Sequence, residues 1–162
     1  PLTTHINLKD IHKSINTKLI TQKITSLNLN YKILFGYKPK IAILGMNPHN
    51  GELKANSEEK KYIIPSVKKL KTRGINVSGP VVADTVFINE FKKFDVIVGT
   101  YHDQVLTPFK ALYGFDAINI TLGLTYRRMS PDHGPALDIV KKKIANYQSL
   151  LKCITLLNKL DS

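Results

Sequence analysis

The chain of 162 residues has a globular composition and a strong positive charge. It is 43% hydrophobic and 22% charged, which excludes a disordered or fibrous protein. A formal net charge of +12 raises the question of nucleic-acid binding. The first residue is Pro1 rather than Met, and the opening residues are typical of the interior of a longer protein. We therefore expect the chain to be part of a larger enzyme or binding protein.

The basic residues are almost all lysines, with Arg73, Arg127 and Arg128 as the three arginines. Phosphate and base recognition favours the planar, bidentate Arg side chain. The lysine clusters are not interleaved with aromatic side chains, as a stacking platform for bases would be. We therefore interpret the charge as a solvated lysine-rich surface without a specific nucleic-acid partner. A basic nucleic-acid-binding module stays as the alternative from a different class.

The cysteine count and the hydropathy of the sequence indicate the cellular compartment of the protein. A single cysteine, Cys153, excludes a disulfide within the chain and fits a reducing compartment. Its apolar neighbours indicate a buried small side chain. No uninterrupted apolar run approaches the 18 or so residues of a membrane span. We expect a soluble cytoplasmic protein with no membrane partner.

Apolar strands alternate with amphipathic helices along the chain. This alternation predicts a three-layer α/β/α fold with a mostly parallel sheet that is covered on both faces. The predicted helices cover about residues 8–28, 57–74, 104–113, 135–143 and 146–160. The predicted extended segments are Ile41–Gly45, Val81–Phe87, Asp95–Gly99 and Ala117–Thr121. In such sheets, ligands bind beyond the carboxyl ends of the strands.

Three histidines directly follow extended segments: His5, His49 and His102. If these imidazoles converge, they form a site for a divalent metal, and three ligands leave positions open for a substrate. Asp103 could orient one of these ligands or contact the metal through water. The competing interpretation is that each histidine is a hydrogen-bonded structural residue. His133 lies in a turn-rich loop and is either a turn former or a supporting group of the site.

Three polar residues farther along the chain are candidates for binding an anion. Lys110 stands among apolar residues, where it either lies along the apolar surface or points to an anion. Asn119 lies within an apolar strand and needs a hydrogen-bond partner, either backbone or ligand. Arg128 belongs to the one arginine pair and suggests bidentate recognition of carboxylate or phosphate. Together they suggest a site for a small phosphorylated anion beside a metal.

Fingerprints of other enzyme classes are missing from the sequence. It contains no Gly-x-Gly-x-x-Gly after a strand and no Gly-x-x-x-x-Gly-Lys-Ser/Thr. It also lacks the Gly-x-Ser-x-Gly elbow of esterases. A nucleotide, if one binds, is not held by a Rossmann or P-loop fingerprint.

Five motifs in register resemble one enzyme family over nearly the whole chain, from about residue 2 to residue 157. The chain resembles the C-terminal half of the 4-hydroxythreonine-4-phosphate dehydrogenases of pyridoxal phosphate biosynthesis. The motifs are Asn47-Pro48-His49-x-Gly51-Glu52, Gly79-Pro80-x-x-Ala83-Asp84-Thr85, Tyr101-His102-Asp103-Gln104, Asn119-Ile120-Thr121-Leu122-Gly123-Leu124 and Asp132-His133-Gly134.

The resemblance implies an oxidation. Such enzymes oxidise 4-phosphooxy-L-threonine with NAD or NADP, and the product loses carbon dioxide to give 3-amino-2-oxopropyl phosphate. A divalent metal (Zn, Mg or Co) would be held by His5, His49 and His102. Substrate contacts map to Lys110, Asn119 and Arg128, and Asp103 and Lys110 are the candidate catalytic groups. A related dehydrogenase of another hydroxy acid is the nearest alternative. A metal-binding or purely structural domain without turnover is a further one.

The resemblance also implies an architecture. The family fold is similar to that of isocitrate and isopropylmalate dehydrogenases, with two α/β/α domains and a homodimer whose active sites draw on both subunits. On this pattern, residues 1–138 form the metal- and substrate-binding second domain. Residues 139–162 are helices that pack on a first domain, which the N-terminal half of the enzyme would supply. The chain alone is then expected to be inactive.

Overall fold

The computed structural model describes residues 1–140, 142 and 144–161, which fall into two units, Pro1–Pro108 and Phe109–Ser162. In the first unit, the strands are β1 (Ile41–Leu44), β2 (Val77–Val81) and β3 (Val96–Val98). Its helices are α1 (Leu8–Ser14), α2 (Thr17–Phe35), α3 (Ile64–Thr72) and α4 (Ala83–Thr85). A π-helical segment, Glu59–Ile63, precedes α3, and another, Val86–Glu90, follows α4. The helix α5 (His102–Tyr113) crosses from the first unit into the second.

The three strands of the first unit form a parallel sheet in the order β2-β1-β3. All four residues of β1 are buried, which explains the continuous apolar run in the sequence. The pairing of β1 with β2 shifts register between Ala42 and Leu44. Gly79 lies at this shift, and a Cβ there would come 2.7 Å from the carbonyl oxygen of Ile43. The close approach of the two backbones therefore requires glycine.

Apolar side chains cover both faces of this sheet. On one face, Ile41 and Ile43 pack with residues of α1, α2 and α3. On the other face, Leu44 packs with Val86 and with Val105 of α5. The predicted α/β fold with a parallel sheet covered on both faces is confirmed for this unit.

Two predicted elements of the first unit differ from the structure. The helix expected over residues 8–28 is broken, because Ile15 is extended and Asn16 caps a second helix by accepting a hydrogen bond from the Leu19 amide. Val81–Phe87 was expected to be extended, but β2 ends at Val81 and the chain turns into α4. The apolar residues of this stretch, such as Val86, pack against the sheet from helical backbone rather than from a strand.

The second unit contains an antiparallel pair of strands and a C-terminal helix. The strands are β4 (Ile118–Thr121) and β5 (Arg128–Pro131), and the helix is α6 (Gln148–Asp161). The segment Ala117–Thr121, which was predicted to be a strand of the parallel sheet, does form a strand, β4. It belongs to a separate two-stranded sheet. A helix over 135–143 was also expected. A short 3-10 turn, Leu137–Ile139, occupies part of that range, and Lys141 and Lys143 lie outside the described residues.

The domain boundary expected at residue 138 concerns packing on a domain outside this chain, and it stays a prediction. The amphipathic pattern of 146–160 correctly predicted α6, whose residue Cys153 is buried with 4% of its surface exposed. Among the described residues, no helix combines the length and the apolar character needed to cross a membrane.

Candidate functional site

The opening segment of the chain runs beside the end of β3. The amide of Leu2 donates to the carbonyl of Gly99 at 2.7 Å, and both the amide and the hydroxyl of Thr3 donate to the carbonyl of Thr100. Leu2 is buried beneath the sheet edge and anchors the segment. These contacts hold the opening segment against the chain that follows β3 and bring His5 toward the residues after that strand.

His5 and His102 are neighbours, with their ring centroids 6.1 Å apart. His102 begins α5, and its Nδ1 lies 2.7 Å from a carboxylate oxygen of Asp103. The two rings line a recess of about 240 Å³ between residues 3–6 and 101–103, with Ile11 as part of its wall. Since Nδ1 of His102 faces Asp103, Nε2 is the nitrogen left for a metal ion. Two of the three predicted ligands thus lie close together.

His49 lies in the loop after β1, in a different environment. Its Nε2 is 3.9 Å from a carboxylate oxygen of Asp84, and both side chains are exposed. Within the described part of the chain, no group of three or more His, Cys, Asp or Glu residues is arranged to hold a metal ion. His5 and His102 are suited to donate two imidazole nitrogens to one metal ion. The site formed by all three histidines stays a prediction.

The loop that carries His49 is supported by a buried carboxylate. Glu59 is fully buried, and one of its oxygens accepts hydrogen bonds at 2.7 Å from the amides of Met46 and Asn47. The side-chain amide of Asn47 donates to its other oxygen at 3.0 Å. Burial acts to raise the pKa of the Glu59 carboxyl, but the hydrogen bonds from Asn47 and Met46 outweigh it and the pKa is lowered. Glu59 is therefore held as a carboxylate.

A second polar side chain connects the loops after β1 and β3. The carbonyl oxygen of Gln104 accepts hydrogen bonds from the amide and the hydroxyl of Thr100, at 2.7 and 2.9 Å. Its side-chain amide donates to the main-chain carbonyl of Gly45 at 2.6 Å. Gln104 thereby fixes the spacing between the two strand ends that precede His49 and His102.

In the second unit, the predicted substrate-binding residues lie on α5 and on the antiparallel hairpin formed by β4 and β5. The ammonium group of Lys110 donates to the main-chain oxygen of Asp132 at 2.6 Å and pairs with its carboxylate at 3.1 Å. Arg128 donates to the hydroxyl of Thr121 at 2.8 Å. Asn119 is exposed at the second position of β4, and its assignment to the substrate site stays a prediction.

The hairpin register groups two of these residues. Asn119 pairs with Ser130, and Thr121 pairs with Arg128. Because side chains alternate along a strand and paired residues share a face, Asn119 and Arg128 project from the same face of the hairpin. His133, in the following loop, is exposed, with its Nδ1 3.0 Å from the carbonyl of Gly134. Both interpretations of His133 remain open.

Two residues that build this site were not singled out from the sequence. Gln104 belongs to the same motif as His102, and this indicates that it lies near the site. Its hydrogen bond to Gly45 spans 59 residues, however, and cannot be deduced from the local sequence. In the sequence, Glu58 and Glu59 are typical of the acidic residues that favour the first turn of a helix. Nothing in the sequence separates Glu59 from its neighbour Glu58, which is only half-buried.

Comparison with known proteins identifies the family of the chain. Residues 1–157 match the family model described as pyridoxal phosphate biosynthetic protein PdxA. The chain is 46% identical over 159 residues to the 4-hydroxythreonine-4-phosphate dehydrogenase of Sulfurihydrogenibium sp. (strain YO3AOP1), covering 96% of this chain and 48% of that protein.

Solved structures give the same relationship. The crystal structure of 4-hydroxythreonine-4-phosphate dehydrogenase from Klebsiella pneumoniae superposes with a TM-score of 0.84 at 32% identity, covering 99% of this chain and 50% of that one. A terephthalate 1,2-cis-dihydrodioldehydrogenase from Burkholderia xenovorans LB400 superposes with a TM-score of 0.71 at 26% identity, covering 95% of this chain and 50% of that one. The chain spans about half the length of the relatives it matches. By its sequence and its fold, the chain belongs to the PdxA family of pyridoxal phosphate biosynthetic proteins.

Proposed function

We propose that the chain is the metal- and substrate-binding C-terminal half of a cytoplasmic dehydrogenase. The enzyme oxidises and decarboxylates 4-phosphooxy-L-threonine to 3-amino-2-oxopropyl phosphate, with NAD or NADP as the hydride acceptor, in pyridoxine 5'-phosphate biosynthesis. The observation that carries the proposal is the pairing of His5 with His102 at the carboxyl end of a parallel sheet, in a chain of the PdxA family. This is the sheet edge where α/β enzymes bind ligands.

The imidazoles of His5, His49 and His102 would hold the divalent metal. Nitrogen donors favour Zn or Co over Mg, which prefers oxygen ligands. When bound, the metal supplies Lewis-acid polarisation of a substrate oxygen. Asp103 keeps the His102 ring oriented through the contact at Nδ1.

Cationic side chains of the second unit would bind the substrate's anionic groups. Arg128 presents a planar guanidinium suited to a phosphate or a carboxylate. Lys110 supplies a second cation, and Asn119 orients the substrate by hydrogen bonding. Asp103 and Lys110 are the two candidates for the group that takes the proton from the substrate hydroxyl.

A homodimer with a shared active site accounts for the position of His49. In one copy, His49 contacts Asp84, while His5 and His102 lie together in a separate recess. A second copy could supply His49 to the pair formed by His5 and His102. The partner would then complete a metal site that one chain holds only in part.

Complementation between two variants tests this arrangement. The variants His49→Ala and His102→Ala are each expected to lose tight metal binding, whereas His12→Ala, on an exposed face of α1, is the matched control. If His49 comes from the second copy, mixing the two variants restores about a quarter of the sites, because half of the exchanged dimers are mixed and one site in each is intact. No recovery after exchange would place the ligands in one copy. Unchanged metal stoichiometry in His49→Ala would remove His49 from the site.

The missing N-terminal half would cover apolar surface that this chain exposes. On α6, Leu150, Leu151 and Ile154 are each about half exposed, and Tyr147 just before it is 71% exposed. A monomeric soluble domain rarely leaves such a patch uncovered. We propose that residues 139–162 pack on the first domain of the enzyme, which leaves residues 1–138 as the second domain.

An assay with purified protein tests the activity. The chain is expected to show no NAD or NADP reduction with 4-phosphooxy-L-threonine, and to gain it when the N-terminal half of a relative is supplied. An ordinary turnover rate by the chain alone would contradict the fragment interpretation. The likeness to a dihydrodiol dehydrogenase favours a second candidate, a dehydrogenase of another hydroxy acid, which activity on such substrates but not on the phosphorylated one would support.

A further inference from the structure

The loop after β1 forms a left-handed turn at His49. Every residue from 49 to 53 has a positive φ, between 49° and 59°. Gly51 is the one glycine among the five, and for the other residues this backbone costs about 1–2 kcal/mol each. Such a conformation persists where the surroundings impose it.

The Glu59 carboxylate lies close to the loop backbone on both sides of His49. Before His49, a Cβ on Gly45 would come 3.3 Å from Oε1 of Glu59, and closer still to the side chain of Asn50. After His49, within the turn, a Cβ on Gly51 would come 3.1 Å from Oε2 of Glu59. The carboxylate therefore occupies the interior of the loop, and the absence of a side chain at the two glycines leaves room there for Glu59, Asn50 and Ser57.

The donors that satisfy this carboxylate come from the start of the loop. Both amides at 46 and 47 point to Oε1, and the side chain of Asn47 spans the two oxygens. Asn47 also donates to Glu58 at 2.8 Å, so its amide group is fixed by two acidic side chains. Asn50 ties the middle of the turn to the carbonyl of Pro80 at 3.2 Å. The backbone is held on both sides of His49.

We propose that Glu59 is a positioning residue for His49: its buried carboxylate gathers the donors of Met46 and Asn47 and thereby imposes the left-handed turn that presents the His49 imidazole. This inference rests on the proposed function insofar as His49 is taken as a metal ligand. Glu59 itself contacts neither a metal nor a substrate. It acts through the loop backbone, as the outer groups of metal sites do.

The variant Glu59→Gln tests the proposal because it keeps the volume and removes the charge. In the metal-free chain, hydrogen exchange is expected to show faster exchange of the Met46 and Asn47 amides. Calorimetric titration with Zn²⁺ is expected to show an affinity about 10–100-fold lower. Glu59→Asp, which keeps the charge, should recover part of both losses.

A control on α3, the helix that directly follows the segment of Glu59, separates positioning from general destabilisation. Ser66→Ala removes a fully buried hydroxyl that donates to the carbonyl of Tyr62, away from the loop. It is expected to lower the melting temperature without changing amide protection in the loop or Zn²⁺ affinity. If Ser66→Ala lowers Zn²⁺ affinity as much as Glu59→Gln does, the positioning role is wrong.

Amide protection and Zn²⁺ affinity are separate measurements, and together they distinguish a failure of this proposal from a failure of the proposed function. Unchanged protection of the two amides in Glu59→Gln would overturn the positioning role. Unchanged Zn²⁺ affinity in His49→Ala, together with lost protection in Glu59→Gln, would overturn the metal role of His49 and leave the support of the loop in place. If Glu59→Gln does not fold, Asn47→Ala removes the same link from the loop side and is expected to give the same loss of affinity.

Discussion

The ammonium group of Lys110 is held by Asp132, through the main-chain oxygen at 2.6 Å and the carboxylate at 3.1 Å. Asp132 is itself fixed, because its amide donates to the buried hydroxyl of Ser149 on α6 at 3.1 Å. That hydroxyl donates in turn to the carbonyl of Ala117, directly before β4. The position of a predicted substrate-binding lysine thus depends on how α6 packs against the hairpin.

Replacing Ser149 by Ala is expected to destabilise the chain by about 1–3 kcal/mol, because the buried carbonyl of Ala117 and the amide of Asp132 lose their partner. Urea denaturation measures the change. Thr155→Ala is the matched control, since its hydroxyl makes a similar bond to the carbonyl of Leu151 on the exposed side of the same helix. It should change the free energy of unfolding by less than about 0.5 kcal/mol. Equal effects of the two variants would contradict the role given to Ser149.

Replacing Gln104 by Leu is expected to cost about 1–3 kcal/mol, because the buried amide of Thr100 and the carbonyl of Gly45 lose a shared partner. Gln22→Leu, at an exposed position of α2, is the control and should be close to neutral. Gln104→Glu keeps the acceptor for Thr100 and removes the donor to Gly45. If thermal unfolding shows no loss of stability in Gln104→Glu, the hydrogen bond from Gln104 to Gly45 does not contribute to stability and the prediction is contradicted.

The stability supplied by Glu59 is expected to depend on pH. Its pKa is lower in the folded chain than the ordinary value of about 4.3 that holds in the unfolded chain. The contribution is therefore complete above that ordinary value and is lost as the pH falls through the lower folded value. The difference in unfolding free energy between wild type and Glu59→Gln should be largest at neutral pH and narrow below about pH 4.3. Urea denaturation across this range measures it, and a gap that widens on acidification would contradict the prediction.

Cys153 is expected to be unreactive in the folded chain. The side chain faces the interior of the second unit, and burial raises the pKa of its thiol. A disulfide reagent such as Ellman's reagent at pH 8 should modify it slowly in buffer and rapidly in denaturing urea. The chain has one cysteine, so the reaction reports on this site alone. Complete modification within seconds under native conditions would contradict the buried position.

Local patterns in the sequence correctly predicted the elements that bury a continuous apolar surface. The run Ile41–Leu44 is a fully buried strand, and the periodic apolar residues from 146 to 160 form α6. The pattern was insufficient where apolar residues are buried from irregular backbone. Residues 81–87 are such a case, because hydrophobic spacing over a few residues does not separate a strand from a short distorted helix.

The sequence alone determined the fold class, the family and the candidate residues, because these depend on residue types and on their order. Tertiary structure decided which of those residues meet. His5 and His102 are 97 positions apart, and they become neighbours because Leu2 and Thr3 pair with the backbone after β3. The adjacent acids Glu58 and Glu59 look equivalent in the sequence. Only the folded loop provides donors that stabilise a buried carboxylate at one of them, since those donors come from Met46 and Asn47, more than ten residues earlier in the chain.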